Sequence, residues 1–208
     1  MTSLGVLADH RIIPVIVIDD VGAAVDVAEA LIRGGIHFAE VTLRTDAAVP
    51  AIRAMAALPG FTVGAGTVIT PAQLDSVTDA GASFIVSPGL DDELIDTART
   101  RGLGVLPGVA TGTEIMRAAR HQLHAVKFFP ADQLGGLSTI RALSGPFPQI
   151  GFIPSGGVSS HNAAEYLADP AVPAVSGSWM ATRGMIADRN FHAIEQATTA
   201  SLAALADA

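Results

Sequence analysis

Lysine occurs once in these 208 residues: among lysines and arginines, every cation but Lys127 is an arginine. Lys127 lies in the string HAVKFF (124–129), which reads as an apolar strand placing Lys127 on one face with Ala125 and Phe129. A lysine is ordinarily a solvated surface charge, and an all-arginine surface can arise from codon bias. A lone lysine between Val126 and Phe128 is nevertheless hard to place in water. Burial there favours the neutral amine, the form that attacks carbonyl carbon, so the residue reads as a Schiff-base nucleophile.

A second set of polar side chains shares one strand face, Glu40, Thr42 and Arg44, with Val41 and Leu43 on the other. Two readings are open: a buried ion pair with a structural role, or separate jobs, Glu40 moving protons and Arg44 gripping a carboxylate with its planar fork. Gly64-Ala65-Gly66-Thr67 offers backbone that a ligand can approach and one more hydroxyl for a carboxylate. Ser155-Gly156-Gly157 and Ser176-Gly177-Ser178 are either ordinary glycine turns or paired phosphate loops, since small residues expose backbone N–H groups. His121 and His124 stand three apart without a nearby carboxylate in the sequence, so no metal site is expected; His10, His37, His161 and His192 are scattered.

Eight short β-branched or apolar runs must position these groups: 12–18, 38–43, 61–66, 83–87, 104–109, 124–129, 151–155 and 174–178. Their starts are 20 to 27 residues apart, room for a strand, a helix and two loops, which predicts a parallel α/β sheet. Amphipathic helices are predicted at Val21–Arg33, Ala47–Leu58, Pro71–Asp79 and Asp91–Arg101. A last, longer helix covers Asp188–Ala206, and a short leading one Thr2–Asp9. Eight such units without a linker predict one closed (β/α)8 TIM barrel over residues 1–208, with its active site at the carboxyl ends of the strands.

Composition narrows the function classes. Half of the residues are hydrophobic and 15% are charged, which argues against disorder. A net charge of −8 disfavours a nucleic-acid partner, and the longest apolar runs are too short to cross a bilayer. The first ten residues lack the basic and apolar regions of a secretory signal, so a cytoplasmic location is expected. Zero cysteines excludes thiolate catalysis and thiolate metal sites, and no cofactor is expected.

The strings EVTLRT (40–45), GAGTV (64–68), SPG (87–89), LPG (106–108), KFFPA (127–131), GPFPQ (145–149), PSGGV (154–158) and GSW (177–179) resemble, in unbroken order, the 2-keto-3-deoxy-6-phosphogluconate aldolase family, which also includes 4-hydroxy-2-oxoglutarate aldolases. EVTLRT with KFFPA carries the most specific part of the likeness. The resemblance implies a class I aldolase and a homotrimer. It implies Lys127 as the Schiff-base lysine, Glu40 as the general acid/base, and Arg44 and Thr67 as carboxylate binders. Pro88 and Phe129 are implied as pocket lining, and Ser155, Gly156, Gly157, Gly177 and Ser178 as the phosphate cradle. The family often has threonine where this chain has Ser155, which keeps the hydroxyl and loses a methyl. The implied substrate is 2-keto-3-deoxy-6-phosphogluconate, cleaved to pyruvate and glyceraldehyde 3-phosphate, with 4-hydroxy-2-oxoglutarate as the nearest alternative. A phosphate-using isomerase or synthase, with Lys127 as a proton donor, and a non-catalytic phosphosugar-binding barrel are the alternatives from other classes.

Overall fold

Strand and helix alternate along the chain as the spacing predicts, in a computed structural model that describes residues 11–206. The expected leading helix at Thr2–Asp9 lies outside those residues. Among the described residues nine strands form: β1 (Ile12–Ile16), β2 (Phe38–Thr42), β3 (Thr62–Gly66), β4 (Phe84–Val86), β5 (Gly104–Leu106), β6 (Gly108–Val109), β7 (Ala125–Phe128), β8 (Gly151–Pro154) and β9 (Val175–Gly177). Between and after them run α1 (Ala24–Arg33), α2 (Ala48–Ala56), α3 (Pro71–Asp79), α4 (Asp92–Thr100), α5 (Gly112–Arg120), α6 (Gly136–Ser144), α7 (Ala163–Leu167), α8 (Arg183–Ala187) and α9 (Phe191–Ala206).

Local chemistry sets several helix starts. Thr70 accepts from the backbone N–H of Gln73 and is followed by Pro71, whose missing N–H costs nothing in a first turn. Asp91 accepts from Leu94 N–H to open α4, and Thr111 with Glu114 forms a reciprocal capping box on α5. The expected helix from Val21 begins instead as a 3-10 turn, Val21–Ala23, capped by Asp20. The expected last helix starts later, at Phe191, and a separate short helix, α8, precedes it.

The closed eight-stranded barrel is not what forms. The strands divide into a six-stranded parallel sheet, ordered β5-β4-β3-β2-β1-β9, and a three-stranded one, β6-β7-β8. Two prolines explain the two breaks. The expected strand 104–109 splits at Pro107: Gly104–Leu106 pairs with β4, whereas Gly108–Val109 pairs with β7. Pro107 accepts from Lys127 N–H (2.9 Å) on the β7 side but has no N–H to return, so the ladder cannot extend below it. The second break lies between β8 and β9. The N–H groups of Gly151 and Ser155 point to the β7 side, where they meet the carbonyls of His124 and Phe128. By alternation Phe152 and Pro154 face β9. Phe152 N–H bonds the carbonyl of Ala171 instead (2.7 Å), and Pro154 has no donor. The result is a curled sheet with two seams, with Phe38 and Phe84 buried on the face that carries Glu40 and Phe128 and Phe152 buried on the face opposite Lys127.

Candidate active site

Lys127 occupies the third position of β7, in register with Gly108 on one side and Ile153 on the other, and is 6% exposed. Its Nζ stands 3.5 Å from Oε1 of Glu40 and 5.2 Å from the centre of the Phe129 ring. The first distance is an ion-pair contact, longer than a hydrogen bond. Glu40, in the middle of β2, is fully buried, and neither carboxylate oxygen has a hydrogen-bond partner. Buried carboxylate oxygens in native proteins are almost always satisfied. Glu40 thus stands beside a buried amine with no hydrogen bond to either carboxylate oxygen.

Gly66, at the end of β3, makes that arrangement sterically available. A Cβ on Gly66 would overlap Oε1, Cδ and Cγ of Glu40, so the carboxylate occupies the space a side chain would fill. The sequence marked Gly66 only as part of a glycine string; what requires a glycine there is the path of the Glu40 side chain. Thr42, two residues on from Glu40, is also buried and donates from Oγ1 to the carbonyl of Ile16 (3.2 Å). Gly108 is constrained in the same way, because a Cβ there would overlap the Pro88 carbonyl, and this close approach brings the loop after β4 against the residue beside Lys127.

Arg44 lies just beyond the end of β2 and Thr67 just beyond β3, two strands paired from Phe38↔Thr62 to Thr42↔Gly66. The Arg44 guanidinium is exposed and makes no ion pair or hydrogen bond among the described residues. Most other arginines are engaged with carboxylates or carbonyls, so Arg44 is open to an anion. Thr67 is half-buried, with φ at +62°. Ser155 is buried at the end of β8, and Gly156 (φ +87°) and Gly157 (φ +86°) take left-handed backbone that glycine tolerates. Gly156 comes against the Phe129 ring, where an added Cβ would be 3.4 Å away, so this loop lies against the ring that Lys127 Nζ approaches. Gly177 closes β9, and Ser178 follows it, exposed.

The expectation that His121 lacks a carboxylate neighbour is corrected. Its Nε2 is 2.8 Å from Asp92 and its Nδ1 3.2 Å from Asp96, both on α4, and Arg117 also donates to Asp92 (2.7 Å). The Arg117 hydrogen bond, then that of His121, holds the Asp92 carboxyl below its ordinary value. This cluster joins α4 to α5, and no group able to hold a metal occurs among the described residues.

Sequence reasoning also missed a row of contacts at the carboxyl rim. Arg183 donates from Nε and Nη2 to the two carboxylate oxygens of Asp19, each 2.6 Å, and Arg189 donates to Asp20 (2.7 Å). Partners 164 and 169 residues apart leave no local signature.

Residues 5–197 match the family model described as "Aldolase: KDPG and KHG aldolase". The chain is 44% identical over 182 residues to the 2-dehydro-3-deoxy-phosphogluconate aldolase of Pseudoalteromonas atlantica, covering 87% of this chain and 85% of that one. It is 44% identical over 176 residues to the KHG/KDPG aldolase of Escherichia coli K12, covering 84% and 83%. Among solved structures it resembles the KDPG aldolase of Legionella pneumophila with pyruvate captured at low pH as a covalent carbinolamine intermediate. The TM-score is 0.92 and the identity 41%, covering 97% of this chain and 98% of that one. The chain belongs to the KDPG and KHG aldolase family and is a carbon–carbon lyase of the Schiff-base class.

Proposed function

We propose that this chain cleaves 2-keto-3-deoxy-6-phosphogluconate to pyruvate and glyceraldehyde 3-phosphate, with Lys127 as the nucleophile and Glu40 as the proton carrier. The observation that carries this reading is the buried contact of Lys127 Nζ with Glu40 at 3.5 Å, in a chain similar to an aldolase that holds pyruvate as a carbinolamine.

The reaction follows from that contact. The Lys127 amine adds to C2 of the keto acid, and the carbinolamine loses water to give an iminium, an electron sink. Glu40, directly or through a water, takes the proton of the C4 hydroxyl. The C3–C4 electron pair flows into the iminium, the aldehyde leaves, and an enamine remains. Glu40 returns its proton to C3; water then adds to C2, and pyruvate departs as the amine is regenerated. Every electron pair moves within substrate and side chains, so no redox cofactor is needed. Arg44 and Thr67 hold the substrate carboxylate, Pro88 and Phe129 line the pocket, and Ser155, Gly156, Gly157, Gly177 and Ser178 hold the phosphate. The family likeness supports a homotrimer.

A second substrate, 4-hydroxy-2-oxoglutarate, is favoured by the family description itself and shares the end of the molecule that Lys127 attacks. A coupled assay of pyruvate release, run on both substrates, tests the reading: a higher kcat/KM on the phosphorylated substrate is expected, and failure to release pyruvate from either would overturn it.

A further inference from the structure

The seam between β8 and β9 separates the two loops assigned to phosphate. Ser155, Gly156 and Gly157 follow β8 in the three-stranded sheet, and Gly177 and Ser178 end β9 in the six-stranded one. No strand ladder fixes one loop against the other. On its other side β9 is held by a short pairing with β1, Ile12↔Val175, Ile13↔Ser176 and Pro14↔Gly177, which stops at the level where the loop begins.

Beyond that level the same two chain segments are joined again, by side chains. Arg183, the first residue of α8, grips Asp19 with a two-pronged fork, both contacts at 2.6 Å. A step further out, Arg189 donates to Asp20 at 2.7 Å, with Asp26 at 4.0 Å. Both acceptors are fixed on their own side. Asp20 also accepts from Gly22 N–H (2.9 Å), and the carbonyl of Ile18, next to Asp19, accepts from the hydroxyl of Thr45, which follows Arg44. The donor side is equally tied, since Ala181 N–H bonds the Ser178 carbonyl (3.2 Å) and the Thr182 hydroxyl caps α8. The contacts therefore run without a gap from the loop bearing Arg44, through Ile18 and Asp19, to Arg183 and the turn that begins at Ser178. The Arg183 hydrogen bond holds the Asp19 carboxyl below its ordinary value, so the pair stays charged at neutral pH.

Exposed ion pairs usually contribute little, and their effect grows when the geometry is bidentate and several charges act together. Both conditions are met here, at a loop that strand pairing leaves free on one side.

We propose that Asp19 and Arg183 form a positioning pair that sets the reach of the phosphate half-site, holding the Ser178 loop against the loop after β1 at the distance from Lys127 that a phosphorylated substrate spans. The proposal rests on the phosphate reading given above. The test compares wild type, Asp19→Asn, Arg183→Gln and the charge-reversed Asp19→Arg/Arg183→Asp on 2-keto-3-deoxy-6-phosphogluconate and on 4-hydroxy-2-oxoglutarate. Each single variant is expected to raise KM for the phosphorylated substrate about two- to fivefold, the scale of an exposed pair. The kcat, the KM for the unphosphorylated substrate and the rate of borohydride trapping with pyruvate should stay at wild-type values. The reversed pair should restore KM. An unchanged KM, an equal rise on both substrates, or no recovery in the reversed pair overturns the proposal. A wild-type enzyme that gains nothing from the phosphate overturns the underlying reading as well, and that result is visible before any variant is made.

Discussion

Lys127 and Glu40 meet at 3.5 Å from different sheets, Lys127 on β7 of the three-stranded one and Glu40 on β2 of the six-stranded one. No hydrogen-bond ladder joins those sheets, so the contact depends on packed side chains between them, including Phe38 and Phe84 on the face that carries Glu40. Interiors packed to crystal-like density hold such distances to a fraction of an ångström. Removing either partner leaves the other charge buried and unpaired, which is more costly than losing the attraction itself. Variants at these positions therefore need a readout of folding beside the readout of catalysis.

Lys127→Arg is expected to abolish turnover and also borohydride trapping with pyruvate, because arginine keeps the charge opposite Glu40 and cannot act as a nucleophile. Lys127 carries the one side-chain amine in the sequence, so mass spectrometry of digested wild-type protein should find the reduced adduct on its peptide. Turnover at a normal rate in the variant would rule out the Schiff-base route through this residue.

Glu40→Gln keeps the amine and the shape of the carboxylate. Trapping with pyruvate should persist while kcat falls by roughly 10²–10⁴-fold, the usual cost of a lost general acid/base. A fully active variant would leave Glu40 with a structural role.

Gly66→Ala tests the same carboxylate without touching it. The added methyl overlaps Oε1 of Glu40 and must push the carboxylate aside, since the neighbouring backbone is locked in the β2–β3 ladder. A displacement of about 1 Å at a catalytic group can cost on the order of 10²-fold in rate. Circular dichroism should show intact secondary structure while kcat drops; wild-type kcat would show that Glu40 does not need its present position.

Acid stability should depend on Asp169, which accepts from Arg141 Nε and from Ala171 N–H at 2.7 and 3.0 Å. The Arg141 bond, then the backbone bond, lowers its carboxyl below the ordinary 3.8. A lowered carboxyl contributes stability that is fully present above its unfolded value and is lost as pH falls through the folded one. Urea midpoints of wild type should therefore lose this contribution below about pH 4, and Asp169→Asn should be less stable near neutrality with a shallower acid decline. Parallel pH profiles for the two proteins would remove Asp169 from the explanation.

The alternation of strand and helix was legible because each element announces itself locally: apolar runs of strand length, Thr70-Pro71 and Asp91 at helix starts, and amphipathic stretches between them. The burial of Lys127 and Glu40 was legible because each stands among apolar residues in a strand. Counting runs could not reveal the sheet's two seams, since a count records strands and not the continuity of their hydrogen bonds. The available signal was Pro107 and Pro154, each inside an expected strand and each lacking the donor a central ladder requires. The partners of Asp19 and Asp20 were out of reach for a different reason, since charges that meet only after the chain has curled around leave no periodicity to read.

The pairing of β1 with β9 also governs how the chain can be made. Ile12 emerges from the ribosome 163 residues ahead of its partner Val175. Throughout that interval the outer edge of β1 is a row of unpaired backbone groups, the kind of surface that recruits strands from other chains. A protein truncated after α7 would keep that edge open permanently and should aggregate, even though it retains Lys127, Glu40 and every strand that carries them.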